Sequence, residues 1–117
     1  MKRTGLLLAV LALLTGCSTP TTYSWGHYEQ LIYTAYRTPD KMPAERQIEV
    51  LEMDYQEARS KNQPVPPGWH AYLGYLYFDL GKVDEARREF ETEKAQFPES
   101  AVSMDRLLAN LSKKEKK

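Results

Sequence analysis

Cys17 has the most definite chemistry in this 117-residue chain, because it is the only cysteine. A lone thiol excludes an internal disulfide framework, and it follows directly on Leu14-Thr15-Gly16. The two histidines, His27 and His70, have neither an i, i+4 histidine nor a second cysteine with which to complete a zinc site. Both read as satisfied surface residues. Ser18, Ser24, Ser60, Ser100, Ser103 and Ser112 all lack the Gly-x-Ser-x-Gly setting of an activated serine. Glu85, Glu89, Glu91 and Glu93 lie beside Arg87, Arg88 and Lys94, which reads as a solvated, ion-paired helix face. A carboxylate pair working as acid and base needs a pocket, and no Gly-rich phosphate loop is present. The sequence therefore points away from an enzyme, and to no metal, no cofactor and no small-molecule substrate.

The segment before Cys17 says what its thiol is for. Lys2 and Arg3 precede an apolar run from Leu6 to Leu14, the layout of a secretory signal. The run is about half of the roughly 20 residues a spanning helix needs. Leu14-Thr15-Gly16-Cys17 resembles the lipobox of bacterial lipoproteins. There, small residues let the backbone lie extended in a tight protease site, and the cysteine thiol carries a diacylglycerol. The resemblance implies a signal peptide over 1–16, with Leu14, Thr15 and Gly16 read by the signal peptidase. It also implies a mature chain starting at lipidated Cys17, with palmitate-type acyl chains. Ser18, in place of an aspartate, favours the outer membrane of a Gram-negative cell, on its periplasmic face. Several acyl chains anchor far more firmly than one. Residues 17–22 form a short tether, at most about 3.3–3.6 Å per residue, which holds the rest of the chain close to the membrane. Removing residues 1–16 leaves 14 basic and 16 acidic side chains and a net charge of −2. That balance argues against a nucleic-acid partner.

Beyond the tether the periodicity is helical throughout, with no persuasive strand. Ser24 is placed to cap a first helix running to Arg37, which Thr38-Pro39-Asp40 breaks. A second helix begins near Pro43, a good first-turn residue; Ala44, Ile48, Leu51, Tyr55 and Ala58 form one stripe along it. Gln63-Pro64-Val65-Pro66-Pro67-Gly68 ends it, as a packed connection. A third, over Trp69–Leu80, is apolar nearly all round and must be sandwiched. A fourth runs from Asp84, as N-cap, to Gln96. A fifth covers Ala101–Leu111, and Ser112–Lys117 reads as a charged, disordered tail.

Within the third and fourth helices, Leu73, Gly74, Tyr77, Gly81, Ala86, Phe90 and Pro98 resemble the tetratricopeptide (TPR) pattern. Small Gly74 and Ala86 would let paired helices approach, Tyr77 and Phe90 would fill the gaps, Gly81 would turn the chain, and Pro98 would redirect it. His70 stands where the pattern has Trp, and Glu93 where a small residue is usual. Moving 34 residues on from Leu73 and Tyr77 reaches Leu107 and Leu111, so the last helix is in register as a cap. Ala44 lies 42 residues before Ala86, so the first unit is a divergent repeat whose eight extra residues fall around Gln56–Pro67. The expected fold is all-α: two TPR-like hairpins and a capping helix over residues 23–111.

In TPR units the first helix of each hairpin lines a groove. Aligning the helices places Tyr33 and Tyr36 beside Tyr75 and Phe78, as a candidate partner-binding face. The competing reading packs these rings against one another or the Pro64–Pro67 segment as core. The whole chain also resembles a family of small, uncharacterised Gram-negative outer-membrane lipoproteins, through Leu14-Thr15-Gly16-Cys17, the Tyr23-Ser24-Trp25-Gly26-x-Tyr28-Glu29 run, and Trp69–Leu80 before Gly81. That resemblance implies an accessory of a curli-secretion-type lipoprotein system. The expected function is a lipid-anchored interaction module that helps assemble or stabilise an envelope complex, its partner an envelope protein such as another outer-membrane lipoprotein. The alternative is a pilotin-like chaperone that delivers a subunit to the outer membrane.

Overall fold

The computed structural model describes residues 22–116, and among them every regular element is helical. Helix α1 spans Tyr28–Arg37, α2 Ala44–Ser60, α3 Trp69–Asp79, α4 Val83–Gln96 and α5 Ala101–Glu115. Single 3₁₀ turns at Pro39–Lys41 and Pro98–Ser100 begin with the two prolines that stop α1 and α4. No helix among the described residues is long and apolar enough to cross a membrane.

The helix ends follow local chemistry. At the end of α3, Gly81 has φ +73 and the Lys82 N–H reaches the Tyr77 carbonyl at 2.9 Å. At the end of α2, Asn62 takes φ +53 and the Gln63 N–H reaches the Ala58 carbonyl at 2.9 Å. Both are left-handed caps of the Schellman type, with glycine in one and asparagine in the other. Two starts differ from expectation. Ser24 caps nothing: its N–H donates to the Pro64 carbonyl at 2.8 Å, and α1 begins four residues later. Asp84 is the second residue of α4, with Lys82 at the N-cap position.

The C-terminal tail requires a correction. Residues Ser112–Glu115 are not a disordered extension but the last turn of α5. Buried Leu111 holds that turn to the core. Arg87 pairs with Glu115 at 2.9 Å, and the Lys114 ammonium lies 4.3 Å from the centre of the Phe78 ring. Lys113 and Lys114 also suit the negative end of the helix dipole.

Helix α3 is the centre of the molecule. It forms a hairpin with α4, α2 packs on its other side, and α5 packs on α4. Leu51, Ala58, Trp69, Ala86, Phe90 and Leu111 have almost no exposure and define the core. In the inter-hairpin connection, Val65 and Pro66 are buried.

The burial pattern also fixes how the hairpins correspond. Shifting α1 by 42 residues lays its buried and half-buried positions Tyr28, Leu31, Ile32, Thr34 and Ala35 onto His70, Leu73, Gly74, Leu76 and Tyr77, all buried. Helix α2 needs a shift of 39, which lays buried Gln47, Leu51, Asp54 and Ala58 onto Ala86, Phe90, Glu93 and Phe97. The difference is turn length: six residues, 38–43, join α1 to α2, whereas three, 80–82, join α3 to α4. Pairing Ala44 with Ala86 is therefore out by three positions. The extra length is not confined to Gln56–Pro67 but shared between that turn, the longer α2 and the connection after it.

Candidate functional site

At Gly74 the α3–α4 hairpin closes most tightly. A Cβ there would fall 2.6 Å from a Phe90 ring carbon and 3.1 Å from the Glu89 Cβ. Ala86, one turn before Phe90 on α4, is wholly buried. Tyr77 packs in the core and donates its hydroxyl to Glu52 on α2. Burial, followed by that bond and the surrounding carboxylates, raises the Tyr77 hydroxyl well above its ordinary pKa.

Each hairpin is also tied at its open end by a carboxylate from its second helix. In the second, Glu93 reaches the start of α3, where it accepts the N–H of Gly68 at 2.6 Å and, more weakly, that of Ala71 at 3.4 Å. In the first, Asp54 accepts the His27 N–H at 2.7 Å and contacts the imidazole Nδ1 at 2.8 Å. Free amides at a helix start carry the positive end of the dipole, so a carboxylate is the fitting partner. The Asp54 bond and its charge raise the His27 pKa. Gly26 has φ +47, and a Cβ there would meet the Asp54 carboxylate at 2.5 Å.

These ties overturn the reading of the Glu85–Glu93 stretch as a uniformly solvated face. Glu93 is 2 % exposed, and Glu89 is half-buried against His70, Nδ1 to Oε2 at 2.7 Å. His70 is not a surface histidine either: it is 2 % exposed and its Nε2 has no hydrogen-bond partner. His27 does stay largely exposed.

The Tyr23–Glu29 run acquires a physical role in the structure. The Tyr23 ring lies 6.1 Å from Phe97, Trp25 6.4 Å from Tyr28, and Tyr28 6.0 Å edge-on to Tyr72. Burial and the nearby Glu93 push the Tyr28 hydroxyl up to about 12. The run therefore docks the start of α1 onto the second hairpin.

Of the four aromatic candidates, Tyr33, Tyr36 and Tyr75 are 61 %, 86 % and 54 % exposed, and Phe78 is half-buried. Tyr75 and Phe78 come together over an apolar recess of about 130 Å³ whose far wall is Leu107, Asn110 and Leu111 of α5. Tyr33 bonds to Arg37 within α1, and among the described residues no ring contact joins the α1 pair to the α3 pair. The α5 wall and Lys114 belong to this face but were not among the sequence candidates; the 34-residue step that reached Leu107 and Leu111 was the available signal. The lipidation candidates Leu14, Thr15, Gly16 and Cys17 lie outside the described residues. No group of acidic, histidine or cysteine side chains suited to a metal occurs among the described residues.

The molecule thus belongs to the class of small all-helical proteins built from stacked hairpins. A family described as "Domain of unknown function (DUF4810)" matches residues 22–107, and the chain belongs to it. No curated protein and no solved structure matches the chain.

Proposed function

We propose that this protein is a lipid-anchored outer-membrane interaction module, in which a TPR-like helical domain binds an envelope protein partner and helps assemble or stabilise its complex. The TPR-like reading is supported by the close approach at Gly74 and by recurrence of the inner positions of α3 in α5. Buried His70 and Tyr77 recur 34 residues later as buried Met104 and Leu111. The anchor reading rests on Leu14-Thr15-Gly16-Cys17, and a curli-secretion-type lipoprotein is the partner class the family resemblance favours.

The observation that carries the binding role is Tyr75, exposed beside the Phe78–Leu107–Leu111 recess. A large ring next to an open apolar recess is the arrangement of a binding hot spot. In a pull-down from detergent-solubilised envelopes, Tyr75→Ala should keep wild-type stability while losing about 2 kcal/mol or more of partner affinity. Wild-type capture by Tyr75→Ala would reject this face. Cys17→Ser should leave the protein unlipidated and absent from the outer-membrane fraction. Recovery there at wild-type level and mature mass would reject the anchor.

A further inference from the structure

A second recess opens on a different side of the molecule, between α2, α3 and α4. It holds about 310 Å³, room for about ten waters at roughly 30 Å³ each, far beyond a packing defect. Its floor is apolar and aromatic: Leu73, Trp69 and Tyr77 are all buried, and Tyr55 stacks on Trp69 with ring centres 5.3 Å apart. Its rim is polar, with Glu52 and Gln56 from α2 and Glu89 from α4.

The two rim carboxylates are only partly engaged. Glu52 accepts one bond from the Tyr77 hydroxyl, and Glu89 holds the His70 ring. Neither forms an ion pair with a lysine or arginine among the described residues. Two cations sit against the rings of the recess, Arg59 6.0 Å from the Tyr55 centre and Lys82 5.9 Å from the Tyr77 centre.

An apolar floor under an anionic rim selects one kind of side chain. A long cationic residue lays its methylene stem on apolar surface and keeps its charged head among polar groups. Arginine fits better than lysine, because its planar fork can bond two carboxylates and stack against aromatic edges. We infer that the recess between Glu52 and Glu89 is a docking socket for an arginine side chain presented by a protein partner. This rests on the reading of the domain as an interaction module, and it adds a second contact point away from Tyr75.

The test uses the full-length lipidated protein in detergent with Trp25→Phe, so that Trp69 on the socket floor is the sole tryptophan. The probe is the peptide acetyl-Gly-Arg-Gly-amide, and its citrulline analogue supplies the same shape without charge. The arginine peptide should change Trp69 emission saturably, and the citrulline peptide should bind about tenfold or more weakly. Glu52→Gln keeps an acceptor for Tyr77 and should weaken arginine binding. Gln56→Lys, on the exposed rim, should abolish it. No saturable response to arginine, or an equal response to citrulline, overturns the socket. Tyr75-dependent capture of the partner would then still stand, whereas arginine binding without any partner capture would reject the interaction-module reading alone.

Discussion

The two hairpins occupy equivalent places in the stack but differ at one position that sets how closely their helices pack. In the second it is Gly74; 42 residues earlier, in the first, it is Ile32, which is half-buried. With no side chain at Gly74, the Phe90 ring can lie almost against the backbone of α3. An isoleucine in that place allows no such approach, and α1 and α2 pack less closely than α3 and α4. Leu31 is the only fully buried residue of α1, and a shallow recess lined by Leu31, Thr34, Met42 and Val50 runs between the two helices. A wider separation needs a longer turn, as the six residues 38–43 supply. The domain is thus divided into a tightly packed half, closed at Gly74, and a looser half tied by polar contacts.

The sharpest way to break this comparison is to fill the gap. Gly74→Leu should cost about 3 kcal/mol or more by overpacking, whereas Ile32→Leu, a volume-conserving change, should cost less than about 1.5 kcal/mol. Urea midpoints followed by circular dichroism measure both; equal losses would mean the hairpins are packed alike. Since a small domain has only about 5–15 kcal/mol of stability to lose, Gly74→Leu should leave little folded protein at elevated temperature.

The carboxylate ties should rank next. Glu93→Ala strands the half-buried Gly68 amide and should cost about 3 kcal/mol, near the upper end for hydrogen bonds to a charged group. Asp54→Ala removes the equivalent tie beside an exposed imidazole and should cost about 1–2 kcal/mol, as a lost helix cap does. A larger loss at Asp54 than at Glu93 would reverse the order of the two halves. Gly81→Ala should cost about as much as Asp54→Ala. Nothing lies within 4 Å of the added Cβ, so only the left-handed backbone is strained, by about 1–2 kcal/mol.

The smallest effect is the pH response of the first hairpin. The His27 pKa is raised in the folded state by the Asp54 bond. Its contribution is therefore complete below the ordinary histidine value and is lost as pH rises through the raised one. Because the imidazole is 67 % exposed, solvent screens the pair and the change should stay under about 1 kcal/mol. Melting midpoints of wild type and His27→Gln should differ most in mildly acidic buffer and converge in alkaline buffer. A gap that widens with pH would contradict the tie.

How much of this was readable from sequence tracks the same division. The second hairpin was legible because Leu73, Gly74, Tyr77, Gly81, Ala86 and Phe90 carry their packing roles in their own sizes and local spacings. The first hairpin was only half legible. Alignment of α1 at a shift of 42 matches the burial, but the small residue Ala44 drew α2 into the same shift, and turn length leaves no mark on such a pattern. Buried Gln47, bonded to the Met42 carbonyl at 2.8 Å and receiving the Tyr72 hydroxyl, takes the place Ala86 holds. Glu93 and His70 were assigned to the surface because charged and polar side chains usually lie there. Their partners, the α3 amides and Glu89, sit 19 to 25 residues away in sequence, beyond any local periodicity. The last turn of α5 was missed for a related reason: Lys114 and Glu115 look solvated until Phe78 and Arg87 are placed beside them.

The route by which the chain enters the domain has a mechanical consequence. Before α1 begins, the Ser24 amide is bonded to Pro64 in the inter-hairpin connection, and Tyr23 rests on Phe97 at the far end of α4. Tension applied through residues preceding Tyr23 is therefore delivered first to the tightly packed hairpin, and reaches the loosely held α1 only after those contacts yield. A tug from the N-terminal side would load the stiff half of the molecule and spare the weak one. In single-molecule stretching from the N-terminal side, this layout favours one abrupt rupture over a gradual peeling of α1.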